Sequence, residues 1–282
     1  MKQYIGTVQE ALDIVHIKEK AKEVRKLIIR MTYEAKSGHP GGSLSAADIL
    51  TYLYFREMNV DPRNPDWADR DRFVLSKGHA SPGLYAVLAL KGFFPIDHLM
   101  TFRKLGSDLQ GHVTRHVPGV DMTAGSLGQG LGNAIGMALA ARLDGKSYRV
   151  FAMIGDGESN EGSIWEAALS ANHWKLSNLI VFLDRNMIQL DGFTESILAL
   201  GDLEEKFRYF GWATRTIDGH SMEEIAEVLD WAKYQNGPKM IIAKTVKGKG
   251  VSFMENNPDY HGKPPPDEKK FEQALKEIEE GF

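Results

Sequence analysis

The chain contains no cysteine. Disulfides, thiolate metal sites and a cysteine nucleophile are therefore excluded. It has no basic excess: the formal net charge is −4 and the pI about 6.2, a balance that argues against nucleic acid as a partner and suits a small-molecule site. No apolar run approaches bilayer length, so no membrane partner is expected. The first residues, "MKQYIGTVQEALDIVHIKEKAKEVRK", are interrupted by charges throughout and resemble neither a secretory leader nor a membrane span. Nothing argues for export, and a cytoplasmic protein is the expectation. Internal repeats and low-complexity tracts are also missing. What remains is 282 residues of ordinary globular composition, long enough to bury a large core.

The pattern of apolar residues alternates between two kinds. Short runs ("RFVLS", "RVFAMI", "NLIVFL", "WATRTI", "MIIAKT") read as strands. Ala-rich or amphipathic segments between them ("SPGLYAVLALKG", "GQGLGNAIGMALAARL", "EGSIWEAALSANHW", "SMEEIAEVLDWAKYQ") read as helices. Val24, Leu27, Ile28 and Met31 mark one face of a long N-terminal helix, and "SLSAADILTYLYF" predicts a second helix capped by Ser43 or Ser45. The alternation predicts an α/β fold: a doubly wound parallel sheet of about five strands with helices on both faces. Residues 1–282 are expected to form one domain with an N-terminal helical arm. "MENNPDYHGKPPPDEKK" breaks the alternation and predicts an extended loop, then a short helix from about Glu268.

The chemistry concentrates where two apolar runs end. One stops at Gly155-Asp156-Gly157 and the next at Asp184-Arg185-Asn186, so Asp156 and Asn186 are thirty residues apart. That is the length of one strand-to-strand crossover with its helix, and ligands collect at the carboxyl ends of such strands. If the strands are neighbours, two hard oxygen donors converge, which suits Mg²⁺ or Ca²⁺. Gly155 and Gly157 leave room for an anionic group, and a helix starting near Asn160 would aim its N–H groups there. The physical reading is a Mg²⁺–diphosphate site, with the metal on Asp156 and Asn186 and phosphate oxygens near Gly157. The plain alternative has Asp156 capping a helix and Asn186 making a turn. Two other glycine-rich stretches are weak signals. "GQGLGNAIG" has no strand before it, and "KGKGVS" lacks the frame of a phosphate-binding loop.

With these residues the chain resembles the N-terminal, diphosphate-binding part of a transketolase. "GDGESNEG…LDRNMIQLDG" resembles the general thiamine-diphosphate motif. "KSGHPGGSLSAADIL", "NPDWADRDRFVLSKGHASPGLY", "GSDLQGH", "TAGSLGQGLGNAIGMA" and "YHGKPP" follow in transketolase order, and the resemblance covers almost the whole chain. It implies thiamine diphosphate and Mg²⁺ (or Ca²⁺ or Mn²⁺ in its place) as cofactors. Asp156, Asn186 and the main-chain oxygen of Ile188 resemble the metal ligands. Gly157, Asn186 and His79 match diphosphate contacts, and Gly125-Ser126-Leu127 a loop under the cofactor rings. His39, His112 and His261 match histidines lining the donor-sugar channel, with His39 and His261 in proton transfer and His261 also near the cofactor. Glu161 and Glu166 match carboxylates at a subunit interface. Ser126 stands where proline is common in the family, which loosens the loop without removing its backbone donors.

Transketolases continue with a pyrimidine-binding and a C-terminal domain, and this sequence stops at Phe282. The resemblance therefore implies the N-terminal subunit of a split transketolase. A C-terminal subunit is the expected partner, sugar phosphates the substrates, and a dimer or heterotetramer the assembly. Three alternatives remain: a related thiamine enzyme such as deoxyxylulose-phosphate synthase or one of different sugar-phosphate range, a non-catalytic assembly partner, and a plain Mg²⁺–nucleotide module. Glu158, beside the motif, reads as an ordinary carboxylate complementing a helix start. His16, His98, His173 and His220 read as structural or surface residues, and Trp165 and Trp174 as packing.

Overall fold

The computed structural model describes residues 2–281, with side chains from residue 13 onward. Two helices open the chain, α1 (Lys2–Glu34) and α2 (Pro40–Tyr52). Strand β1 (Arg72–Leu75), α3 (Ser81–Lys91) and α4 (Gln129–Leu143) follow. Then come β2 (Val150–Gly155), α5 (Gly162–His173) and β3 (Leu179–Arg185). A short hairpin, β4 (Ile188–Gln189) with β5 (Gly192–Phe193), leads into α6 (Thr194–Ile197) and α7 (Leu203–Tyr209). The chain ends with β6 (Ala213–Asp218), α8 (Met222–Lys233), β7 (Lys239–Lys244) and α9 (Glu268–Glu280).

The strands form one parallel sheet in the order β1-β2-β3-β7-β6. Alternate side chains enter opposite faces, as strand geometry requires. Phe151, Met153, Phe182 and Ile241 pack beneath Ile28 of α1, Leu44 of α2, Leu84 of α3 and Ile225 of α8. Ala152, Ile154, Val181 and Leu183 pack with Leu131 of α4, Ile164 of α5 and Phe207 of α7. Burial on both faces explains why the strands read as continuous apolar runs. The predicted α/β architecture and its five strands agree with this sheet.

Some boundaries differ. Helix α2 begins at Pro40 rather than at a serine cap, because proline is tolerated in the first turn, where its missing N–H costs nothing. Ser43 and Ser45 lie inside it: Ser43 Oγ donates to the His39 carbonyl (2.9 Å) and Ser45 Oγ to Asp184 (2.7 Å). The predicted helix start near Asn160 is instead a 3-10 turn, Gly157–Asn160, and α5 begins beyond it. The predicted loop before α9 contains one further 3-10 turn, Pro258–Tyr260. Among the described residues no helix is long and apolar enough to cross a membrane.

Candidate functional site

The register decides whether the two motif ends meet. Strands β2 and β3 are paired neighbours, with Gly155 opposite Asp184. Past that rung the two chains stay joined. The Asp156 amide donates to the Asp184 carbonyl (3.2 Å), and the Met187 amide donates to Asp156 Oδ2 (2.7 Å). Met187 takes a left-handed φ of 66°, which turns the chain sharply toward Asp156. Asp156 also caps the 3-10 turn, its Oδ1 accepting the Gly157 amide (2.8 Å), so the capping reading holds while the residue still lines the cavity. The Asp156 and Asn186 side chains and Ile188 line one cavity of about 350 Å³ at the carboxyl end of the sheet.

Asp156 is buried. Burial, then the neighbouring Asp184, pushes its carboxyl up to about 6, while its two backbone donors and Arg185 at 3.4 Å only partly offset this. Asn186 is oriented by Asp184, because its Nδ2 donates to Asp184 Oδ2 (3.0 Å) and its oxygen accepts the Ile188 amide (3.2 Å). Asp184 itself is fully buried and accepts from Lys77, Thr245 and Ser45. Burial alone would raise Asp184, but Lys77 and the hydroxyls outweigh it and hold the carboxyl below its ordinary value.

Four histidines from four distant segments share the same cavity. The His39 ring centre lies 5.2 Å from His79, 5.6 Å from His261 and 6.4 Å from His112. Burial, then Arg103 and His112, lowers His39 to about 4; burial, then Lys247, lowers His261 to about 3. His79 and His112 are lowered too, with burial the first cause in each. The set is therefore neutral at neutral pH, and His39 Nδ1 is buried with no hydrogen-bond partner.

Gly125 and Leu127 reach the cavity wall, while Ser126 between them is exposed and does not. Gly157 lines the cavity and has no room for a side chain, since a Cβ there would meet the Gln189 Cβ at 2.7 Å. Glu161 and Glu166 are exposed at the start of α5 and lie off the cavity. His98 and His220 are structural, each bonded to an aspartate at 2.7 Å. Trp165 stacks on Phe207, as packing requires.

Sequence reasoning missed three charged residues of this cavity. Lys77 and Lys247 are buried in its wall, and Lys247 donates to the Ile188 carbonyl (2.9 Å) and to His261 Nδ1 (2.7 Å). Glu158, whose sequence context suggests a dipole-complementing surface acid, is 3% exposed. It accepts from Ser76 Oγ, the Gly128 amide and the Gly155 amide. The stretch "KGKGVS", which lacks a phosphate-loop frame, contains Lys247; no local signal marks its burial.

Among the described residues no three His, Cys, Asp or Glu side chains are grouped to hold a metal. The strand ends instead carry one carboxylate (Asp156), one side-chain amide (Asn186) and the main chain of Ile188 on the cavity wall.

Comparison with known proteins places this geometry. The family described as "Transketolase, thiamine diphosphate binding domain" matches residues 17–277. The fold is thus that of a thiamine-diphosphate-binding α/β domain. The chain is 49% identical to a 6-deoxy-6-sulfo-D-fructose transketolase subunit of Clostridium sp. (strain MSTE9), over 88% of this chain and 90% of that one. It is 42% identical to an apulose-4-phosphate transketolase subunit of Phocaeicola vulgatus, over 91% of each chain. It is also similar to the crystal structure of transketolase from Campylobacter jejuni, with a TM-score of 0.88 and 36% identity. That match covers 94% of this chain but only 43% of the other, so the chain spans less than half the length of that transketolase. The chain belongs to the transketolase family.

Proposed function

We propose that this chain is the N-terminal, cofactor-binding subunit of a split transketolase. With a C-terminal subunit it moves a two-carbon ketol unit from a ketose bearing a terminal anion to an aldose phosphate. The observation that carries this reading is the convergence of Asp156, Asn186 and Ile188 with four neutral histidines on one cavity. Relatives that match the chain nearly end to end are themselves named as transketolase subunits, which supports a separate partner.

The residues fit the cofactors. Asp156 is a buried carboxylate that the Arg185 guanidinium meets only at 3.4 Å, and a divalent ion would supply the charge it still lacks. Asp156, the Asn186 oxygen and the Ile188 carbonyl would hold Mg²⁺, with Ca²⁺ or Mn²⁺ able to replace it. Gly157 and His79 would meet the diphosphate, and Gly125 to Leu127 would lie under the rings. When bound, thiamine diphosphate supplies the carbon nucleophile and electron sink of ketol transfer.

The chain's own residues supply positioning and proton handling. His39 and His261, neutral and half-buried, take and return the proton of the donor hydroxyl at their free ring nitrogens. His112 lines the sugar's path. Glu161, at the N-cap of α5, and Glu166, within it, are exposed and would face the subunit contact. The segment after the metal site exposes Met187, Leu190, Phe193, Ile197 and Leu198, an apolar ledge beside the cavity that suits the partner's docking. A cytoplasmic location and a dimer or heterotetramer go with this reading.

Co-expression with the neighbouring reading frame tests it. A co-purifying chain and Mg²⁺- and thiamine-diphosphate-dependent transfer between sugar phosphates are expected. Full activity from the isolated chain would refute the need for a partner, and calorimetric preference for Mg²⁺–ATP would refute the cofactor.

A further inference from the structure

Glu158 has a place in the site that neither the metal nor the proton chemistry uses. It is a buried carboxylate whose two oxygens serve three separate stretches of chain. Oε1 accepts from Ser76 Oγ and from the Gly128 amide (2.8 Å), and Oε2 accepts from the Gly155 amide (2.9 Å). Ser76 ends the β1 segment just before Lys77 and His79. Gly128 closes the loop of Gly125, Ser126 and Leu127. Gly155 ends β2 just before Asp156 and Gly157. Three of the expected groups of cofactor contacts, those of His79, of Gly125 to Leu127 and of Asp156 with Gly157, thus begin or end near an atom that Glu158 holds.

The packing around the carboxylate is close. A Cβ on Gly130 would meet Ser76 Oγ at 2.3 Å, and one on Gly78 would meet the Ala124 Cβ at 2.7 Å. The chain on either side of the loop, at Ala124 and Gly130, is thus in close contact with the β1 end, while Gly125 itself has open space around it. Gly128 holds a left-handed φ of 82°, a conformation that leaves its amide free to point at the carboxylate. The loop itself is exposed at Gly125 and Ser126, and Ser126 gives it less intrinsic stiffness than a proline would.

We propose that Glu158 is a positioning residue: one anion that fastens the three walls of the thiamine-diphosphate site and holds the Gly125–Leu127 loop in its binding shape. This rests on the functional reading above. Only a carboxylate of this length accepts all three bonds. Glutamine presents an N–H₂ to donors that need an acceptor, and aspartate falls one methylene short. Burial raises the Glu158 carboxyl, and the three donors work against that rise.

The test uses the full chain with Glu158→Gln and Glu158→Asp, read by amide hydrogen exchange and by calorimetry with Mg²⁺ and thiamine diphosphate. Exchange is expected to rise by about tenfold or more at residues 125–128, the scale of one lost charge-assisted bond, with strands β2 and β3 unchanged. Cofactor affinity is expected to fall by about tenfold or more in parallel. Unchanged exchange at the loop overturns the proposal. So does unchanged affinity despite a loosened loop, or exchange that rises equally across the sheet, which would make Glu158 a general stability residue. Should the wild-type chain, alone and with its partner, take up no thiamine diphosphate, the functional reading fails, and loop exchange still decides whether Glu158 is the clamp.

Discussion

The ammonium of Lys247 lies 2.9 Å from the carbonyl oxygen of Ile188, the main-chain atom proposed to face the divalent ion. One oxygen does not serve two cations at full strength. At an effective dielectric of about 20, two unit charges near 4 Å repel by on the order of 4 kcal/mol, which the lysine reduces by swinging away. Lys247→Met is therefore expected to bind Mn²⁺ alone at least about threefold more tightly than the wild type. Titration of free Mn²⁺ by electron paramagnetic resonance reads this directly, and equal or weaker binding contradicts it.

Asp156→Asn separates the metal's needs from the fold's. The Asp156 carboxyl is raised from 3.8 to about 6 by burial and Asp184, so its anion costs the metal-free fold on the order of 3 kcal/mol above pH 6. Replacement removes that cost but loses one accepted backbone bond, worth about 1–3 kcal/mol. The metal-free variant is expected to melt within about 5 °C of the wild type at pH 7.5. Its stabilisation by Mg²⁺ and thiamine diphosphate is expected to vanish. Differential scanning calorimetry with and without the cofactors checks both.

Gly157→Ala places a methyl 2.7 Å from the Gln189 Cβ, so β4 must shift. Cofactor affinity is expected to fall by about tenfold or more, because the shift moves Ile188 as well. Adding Gln189→Gly removes the collision and is expected to restore most of that loss. Calorimetry on the single and double variants measures the rescue, and no rescue would place the damage elsewhere.

The histidine cluster sets an acid limit. His39 and His261 carry lowered values of about 4 and about 3 against an unfolded 6.5. The unfolded chain binds their protons first as pH falls. Their contribution is complete above pH 6.5 and is lost progressively as pH falls toward 4. His39→Gln with His261→Gln is expected to flatten the fall of melting temperature between pH 6.5 and 4. A double variant with the wild-type pH slope would contradict this.

The strand ends are legible in the sequence because they are local. Apolar runs that stop at Asp156 and Asn186 at crossover spacing already imply neighbouring strands, and the register of β2 with β3 agrees. The start of α2 is harder to read because Ser43 and Ser45 look like caps, whereas their hydroxyls turn back to His39 and across to Asp184. Glu158, Lys77 and Lys247 escape a sequence reading for another reason. Charged residues near glycines usually meet water, and these are buried only because donors and acceptors arrive from remote segments. Ser76, Gly128 and Gly155 come to Glu158 together only in the folded sheet. The β4–β5 hairpin has two residues per strand, too few to leave a periodic signature.

The most direct test is a crystal structure of the chain with Mn²⁺ and thiamine diphosphate, with data collected at the manganese edge. One anomalous peak is predicted at about 2.2 Å from an Asp156 carboxylate oxygen, Asn186 Oδ1 and the Ile188 carbonyl together. A peak that leaves out Asp156 or Asn186, or a cofactor bound with no metal between these strand ends, would contradict the assignment.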